Sequence, residues 1–288
     1  WDKIFYIGAI TSIFSLISII YALMLPNIYQ SKATMMPIEA SQGMSGMLGQ
    51  FGGMASLAGI SLPSDPGSKA QEAIARIKSF EFFSNYFLPQ IKLENLLAVK
   101  KWNQASNTLT YDKSAFDVES RQWLPKVSPP KSNIPSSQKA YKQYKKIMGV
   151  SEDKKKSFVT LSVEHESPVI AQQWVEIIMD QIDQVMRDQD RQTAMQSIEY
   201  LNSLAPTVNY EEIKQALSSL QQEQMKRLMM VEANENYIFK VLDSPIVPEM
   251  KVKPKRSLIV ILGTIFGMML SALGVLAFYY TRKSSEHA

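Results

Sequence analysis

SPVIAQQWVEIIMDQIDQVMRDQDRQTAMQSIEYLNSLA, residues 167–205, decides the architecture. Ser167 has the side chain of a helix cap, and Pro168 suits the first helical position, where its missing N–H would have had no partner anyway. No further Pro and no Gly interrupts the run. The expected helix is therefore ~37 residues and about 55 Å long at 1.5 Å per residue, well beyond the usual 8–20 or so. Trp174, Ile178, Ile182 and Val185 form an apolar stripe that stops at Met186 and resumes at Met195, Ile198, Leu201 and Leu204. Between them lies RDQDRQT, residues 187–193, polar on every face. Such a segment does not bury itself in its own domain, and it is expected to project into water or meet another subunit. Arg187, Asp188, Asp190 and Arg191 are accordingly candidates for an oligomer contact.

Downstream, Pro206 and Asn209 break the helix, and residues 211–236 form another with Ile213, Leu217, Leu220, Leu228 and Val231 as its stripe. An antiparallel return along the first helix makes a long arm. YIFKVL (237–242) reads as a short strand, after which Pro245, Pro248 and Pro254 carry an extended chain. Upstream, SFVTLSVE (157–164) alternates with period two, a half-buried strand. Residues 136–148 read as a basic helix with Lys139, Lys142, Lys145 and Lys146 largely on one side, followed closely by Lys154, Lys155 and Lys156. A basic face suits anionic sugars or lipid phosphates, although a solvated surface is its commoner meaning. Residues 123–137 carry four Pro and read as a connector. Ala70, Ala73, Ile74, Ile77, Phe80, Phe83 and Phe87 keep a 3.6-residue period over 68–89, a helix ended by Pro89. Residues 28–38 read as a strand ended by Pro37. Residues 41–60 hold six of the chain's twelve Gly, with Met44, Met47 and Met54 between them. Thioethers suit Cu(I), but no His or Cys supports a metal there. A loop adapting to a partner or a membrane surface is the better reading.

The two ends differ from everything between them. Residues 4–25 and 258–280 contain no charge, and a helix needs about 20 apolar residues to cross a bilayer. The first is longer than the roughly 7–15 apolar residues of a signal peptide and lacks a small-residue cleavage site. The second is flanked by Lys255-Arg256 and Arg282-Lys283. Both are expected to span, with both termini on one side and residues 26–257 on the other. Lys251, Lys253, Lys255 and Arg256 would draw the loop inward, but long loops translocate largely regardless of charge, and an external loop is expected. The chain begins at Trp1 rather than Met, so a cytoplasmic leader is expected to be missing. Gly263, Gly267 and Ser271 share one helix face, where small residues let two backbones approach closely. Gly8 and Ser12 offer a shorter counterpart.

Overall the chain is ordinary: 288 residues, 45% apolar, 20% charged, net charge +4 from 31 Lys plus Arg and 27 Asp plus Glu. These values exclude wholesale disorder and a polytopic membrane protein. With no Cys and only two His there is no thiolate site, no disulfide and little for a metal. No phosphate-cradling loop and no nucleophile elbow occur. His165-Glu166 begins like a zinc-protease motif, but Val169 stands where the second His belongs. Asp188 and Asp190 point about 200° apart on a helix and would not share an ion. No catalysis and no cofactor is expected.

Three blocks carry a resemblance. Asp243-Ser244-Pro245 through Pro248 to Pro254-Lys255-Arg256-Ser257-Leu258-Ile259, followed by a Gly-bearing apolar run, is the most specific. Glu166-Ser167-Pro168-x-x-Ala171-x-x-Trp174 and Tyr29-Gln30-Ser31-x-Ala33 support it. Together they resemble the Wzz family of bacterial polysaccharide co-polymerases, the O-antigen chain-length determinants, over the whole chain. The resemblance implies an α+β periplasmic domain, with a small mixed sheet base and a long helical arm, between two transmembrane helices of the inner membrane. Its division is a cytoplasmic stub (1–3), a first span (4–25), a periplasmic domain (26–257), a second span (258–280) and a cytoplasmic tail (281–288). The base takes 26–166 and 237–257 and the arm 167–236. The membrane-proximal motif is Pro245, Pro248, Pro254, Lys255 and Arg256. Implied partners are further copies of the chain (a homo-oligomer), a Wzy-type polymerase, lipid-linked polysaccharide and the membrane, with no nucleic acid. The implied activity is non-catalytic regulation of polysaccharide length. The Gly/Met-rich segment is closer to relatives linked to tyrosine kinases, so an export adaptor working with a separate kinase is one alternative; with eight residues after Tyr280, no kinase domain is expected on this chain. A sensor ectodomain between two spans is another, and the short tail speaks against its output module.

Overall fold

The structure, a computed structural model, describes residues 2–38, 67–124, 132–153, 155–207, 210–234 and 236–285. The Gly/Met-rich segment 41–60 and Pro125, Pro129 and Pro130 of the connector lie outside them.

Helix α1 (Asp2–Met24) leads into strand β1 (Ile28–Pro37). Helix α2 (Gly67–Ile77) follows, then a broken run of turns, Phe80–Phe82, Phe83–Phe87 and Leu88–Gln90, and a short α3 (Leu93–Leu97). Two small hairpins come next, β2 (Val99–Asn103) with β3 (Thr108–Tyr111) and β4 (Phe116–Asp117) with β5 (Gln122–Trp123). Helix α4 (Ser137–Ile147) runs into β6 (Met148–Asp153) and β7 (Phe158–His165). The long α5 (Pro168–Leu204) and its return α6 (Glu211–Ala233) precede β8 (Phe239–Asp243), β9 (Lys251–Lys253) and α7 (Arg256–Ser285). The result is a mixed α+β architecture with one long helix and small sheets.

The main sheet has the order β6-β7-β1-β8, with β9 also pairing β1. All its described pairings are antiparallel. Period two decides its inner face: Val159, Leu161, Val163 and His165 of β7 stand beside Met35, Ala33, Ser31 and Tyr29 of β1, and of these only Tyr29 is not fully buried. The first half of α5 covers that face with Val175, Ile178 and Ile182. Phe83, Phe87, Tyr144 and Trp174 close the core as a connected aromatic cluster, with neighbouring rings 5.0–6.1 Å apart.

Several sequence expectations change here. The helix expected over 68–89 breaks after Ile77: the Ser79 side chain accepts from the Phe82 N–H and starts a new segment, which turns wider at Phe83–Phe87. The break frees carbonyls on both sides: Tyr144 Oη donates to Ile77 O at 2.9 Å in the core, and Tyr141 Oη donates to Lys78 O at the surface. Strands β6 and β9 and both hairpins carry too little alternation to stand out in sequence. Along α5, buried positions continue from Pro168 to Val185 and Met186.

Candidate functional site

Three places collect the residues that the sequence singles out. The first is the foot of the arm. On α5, Asp183 Oδ1 accepts from the Tyr237 and Ile238 N–H groups at 2.7 and 3.0 Å, and its Oδ2 pairs with Arg187 at 2.9 Å. Arg187 also donates to the carbonyls of Val231 and Asn234 at 2.8 and 2.7 Å, orphan acceptors at the end of α6. One turn on, Asp190 accepts from Lys69 of α2 at 2.6 Å and from the Tyr237 hydroxyl. Burial works against the Lys69 ammonium, but its bonds to Asp190 and Tyr237 outweigh it and its pKa is raised. Arg191 bridges Asp188 on its own helix and Glu232 on α6, at 2.9 and 2.6 Å.

The all-polar stretch 187–193, expected to project into water or meet another subunit, also finds partners within its own chain. Its charges are matched within the chain, because α6 returns with its carbonyl end and Glu232 against it, and α2 brings Lys69. Asp188 and Asp190 serve different partners, as helical spacing requires. Beside this cluster a cavity of about 360 Å³ opens between Met35, Met179, Asp180, Gln184, Asn236 and Phe239. Burial, then the neighbouring Asp183 charge, holds the Asp180 carboxyl above its ordinary value.

The second place is the junction of sheet and terminal helices. Strand β9 lies against the first residues of β1, with Ile28 opposite Lys253 and Tyr29 opposite Lys251. Ser31 Oγ donates to Ile246 O at 2.8 Å and pins the Pro-rich segment to the sheet. Pro245 is buried and Pro248 and Pro254 are half-buried. Arg256 donates to Ala22 O and to Asn27 Oδ1, both at 3.1 Å, and Lys251 reaches the same Asn27 oxygen. Lys253 pairs with Glu164 at 2.6 Å, while Lys255 is exposed. Behind them the buried His165 ring caps the start of α5: Nδ1 accepts from the Ser167 N–H, and Nε2–H donates to Asn95 O, each at 2.9 Å. Burial keeps this ring's pKa below its ordinary 6.5. All three blocks of the sequence resemblance thus meet here, which no spacing in the sequence reveals.

The third place is the packing of α1 against α7. A Cβ added at Gly263 would meet the Ser18 side chain, with Ser18 Cβ at 2.7 Å, and one at Gly267 would lie 2.5 Å from Phe14 Cβ. Ser271 is buried, with Thr11 Oγ1 at 3.3 Å, and Thr264 Oγ1 donates to Ser15 Oγ at 3.2 Å. The partner face on α1 is therefore Thr11, Phe14, Ser15 and Ser18. Gly8 has open space where its Cβ would be, so the Gly8–Ser12 counterpart is not the face that meets α7. Arg256–Gly274 is long and apolar enough to cross a membrane, and Gly8–Met24 is a shorter apolar helix.

Residues 208–278 match a family described as GNVR, "G-rich domain on putative tyrosine kinase". That span takes in α6, β8, the Pro-rich segment, β9 and most of α7. No curated protein matches the chain. Among solved structures the chain is similar to a full-length bacterial polysaccharide co-polymerase at 14% identity and TM-score 0.39, covering 98% of this chain and 96% of that one. A fragment of WzzB, polysaccharide co-polymerase from Salmonella Typhimurium, matches at 9% identity and TM-score 0.32, over 79% and 100%. The wild-type Shigella flexneri lipopolysaccharide O-antigen chain-length regulator WzzBSF matches at 12% and 0.24, over 77% and 99%. These three solved structures are described as polysaccharide co-polymerases or a chain-length regulator, whereas the family model describes a domain "on putative tyrosine kinase". At such identities and scores the structural likenesses carry no partner or mechanism.

Proposed function

We propose that this chain is a Wzz-type polysaccharide co-polymerase of the bacterial inner membrane. In this reading α1 and α7 span the bilayer, and the sheet base and the α5–α6 arm stand in the periplasm. The observation that carries it is that the GNVR match over 208–278 covers the Pro-rich block and Gly-bearing helix on which the sequence resemblance rests most. The fold suits the role. The α1–α7 pair presents Ile13, Leu16, Ile17, Ile261, Leu262 and Phe266 outward, as a lipid-facing pair must. The outer arm exposes Met195, Tyr200, Ile213 and Leu220, an apolar surface of the kind that neighbouring subunits cover.

The action is physical rather than chemical. A homo-oligomer holds a Wzy-type polymerase and its lipid-linked polymer together, so that release depends on the geometry of the assembly, and no bond is made by this chain. Deleting its gene tests this directly: surface O-antigen should persist with an unregulated length distribution, and complementation should restore a modal length. Loss of all polymer with accumulated precursor units would sink the length-regulator reading. The kinase mentioned in the family description favours one second reading, an adaptor for exopolysaccharide export with a separate tyrosine kinase. That outcome would show as lost export with O-antigen length unchanged.

A further inference from the structure

Among the described residues, the base leaves a surface uncovered next to the ends of α1 and α7, and three separate elements contribute to it. Strand β9 supplies Met250 just before it and Val252 within it, 84% and 39% exposed, alternating with Lys251 and Lys253. The β2–β3 hairpin supplies Trp102, whose ring meets Tyr29 edge-on at 5.5 Å, together with exposed Lys100 and Lys101. The chain leading into α7 supplies Lys255. Nothing in the folding of the base calls for Met250 to stand almost fully in water. It lies only a few residues from both helices, since β9 pairs with Ile28 and Tyr29 and α7 begins at Arg256. Exposed apolar side chains, a Trp–Tyr pair and lysines beside the end of a spanning helix are the chemistry of a bilayer's interfacial layer. Acids are few here: Glu249 is exposed, and Glu164 is bound to Lys253.

We propose that this face docks on the periplasmic leaflet and selects anionic phospholipid, with Met250 and Val252 seated among the headgroups and, on their phosphates, Lys255 and the N–H donors of Lys251 not used on Asn27. This rests on the reading that α1 and α7 cross the membrane. Docking would fix the tilt of the base against the bilayer, which the helix pair alone leaves free.

The absence of Cys makes the test direct. The full chain is placed in nanodiscs as three single-Cys variants, Met250→Cys, Ile265→Cys and Tyr200→Cys, each carrying an environment-sensitive fluorophore. Lipids bearing a spin label at the headgroup or deep in the acyl chain serve as quenchers. The Met250 probe should be quenched by the headgroup label, at least about twofold more when phosphatidylglycerol replaces phosphatidylcholine. Ile265 should be quenched by the deep label and Tyr200 by neither. Lys251→Gln with Lys255→Gln should abolish the lipid dependence at Met250. If Ile265 is quenched while Met250 behaves like Tyr200, the helices span and the docking inference is overturned. Quenching at Met250 that ignores lipid charge overturns the anionic selectivity. If Ile265 is not quenched, the spanning reading itself falls, and the inference with it.

Discussion

Single residues at two joints set how the arm is held. His165 must be neutral for Nδ1 to accept from the Ser167 N–H. Its folded pKa lies below the unfolded 6.5, so its contribution is present above pH 6.5 and is lost as pH falls through the folded value. Thermal unfolding of the detergent-solubilised chain should show stability dropping as pH goes from about 6.5 to 5, before most carboxylates titrate. His165→Gln, which cannot take up that proton, should flatten this slope; an unchanged slope would assign it to other groups. Asp183 is the second joint, because one carboxylate satisfies two N–H groups at the start of the return strand and Arg187 as well. Asp183→Ala should cost about 1–3 kcal/mol and speed proteolytic cleavage within 233–239. Equal cleavage in mutant and parent would show that the strand start is held by packing alone.

At the scale of elements, the α1–α7 contact is close because Gly263 and Gly267 carry no Cβ. Ser18 Cβ and Phe14 Cβ belong to the rigid start of each side chain, so a substitution at either Gly must separate the helices. A Thr11→Cys, Ser271→Cys pair, in a chain with no other Cys, should form a disulfide on mild oxidation. Adding Gly267→Leu should reduce that yield severalfold while protein abundance stays normal, and the length of surface glycan should shift. Undiminished cross-linking would mean that the contact tolerates bulk. Arg187 and Arg191 do comparable work between α5 and α6: they match a polar stretch of one helix to the carbonyl end and Glu232 of the other. The pairing fixes the register in which the arm closes.

For the whole molecule, the base is a packed unit and the arm is not. Beyond Met186 only Ala194 of α5 is fully buried, and α6 buries only Leu217 and Val231. A two-helix arm this long is poorly stabilised alone, so light scattering in mild detergents should find a large homo-oligomer. A monomer in each of several detergents would count heavily against the assembly. If assembly geometry sets polymer length, exchanging residues 167–236 for a relative's arm should move the modal length towards that relative's.

The sequence alone determined whatever depends on local periodicity and composition. The Ser167 cap, the 37-residue helix with its return, a period-two strand read at 157–164 and found at 158–165, and the two uncharged ends all follow from spacing along the chain. The three blocks of residues behind the family resemblance were legible too, as a likeness to a known family rather than from periodicity. What only the tertiary structure decided is how distant segments satisfy one another. Lys69 reaches Asp190 across 121 residues, Ser31 holds Ile246 across 215, and Thr11 meets Ser271 across 260. The polar stretch 187–193 shows the physical reason. A helix face polar in sequence is unsatisfied only until a partner arrives, and the chain itself supplies that partner from the end of α6 and from α2, which periodicity cannot register.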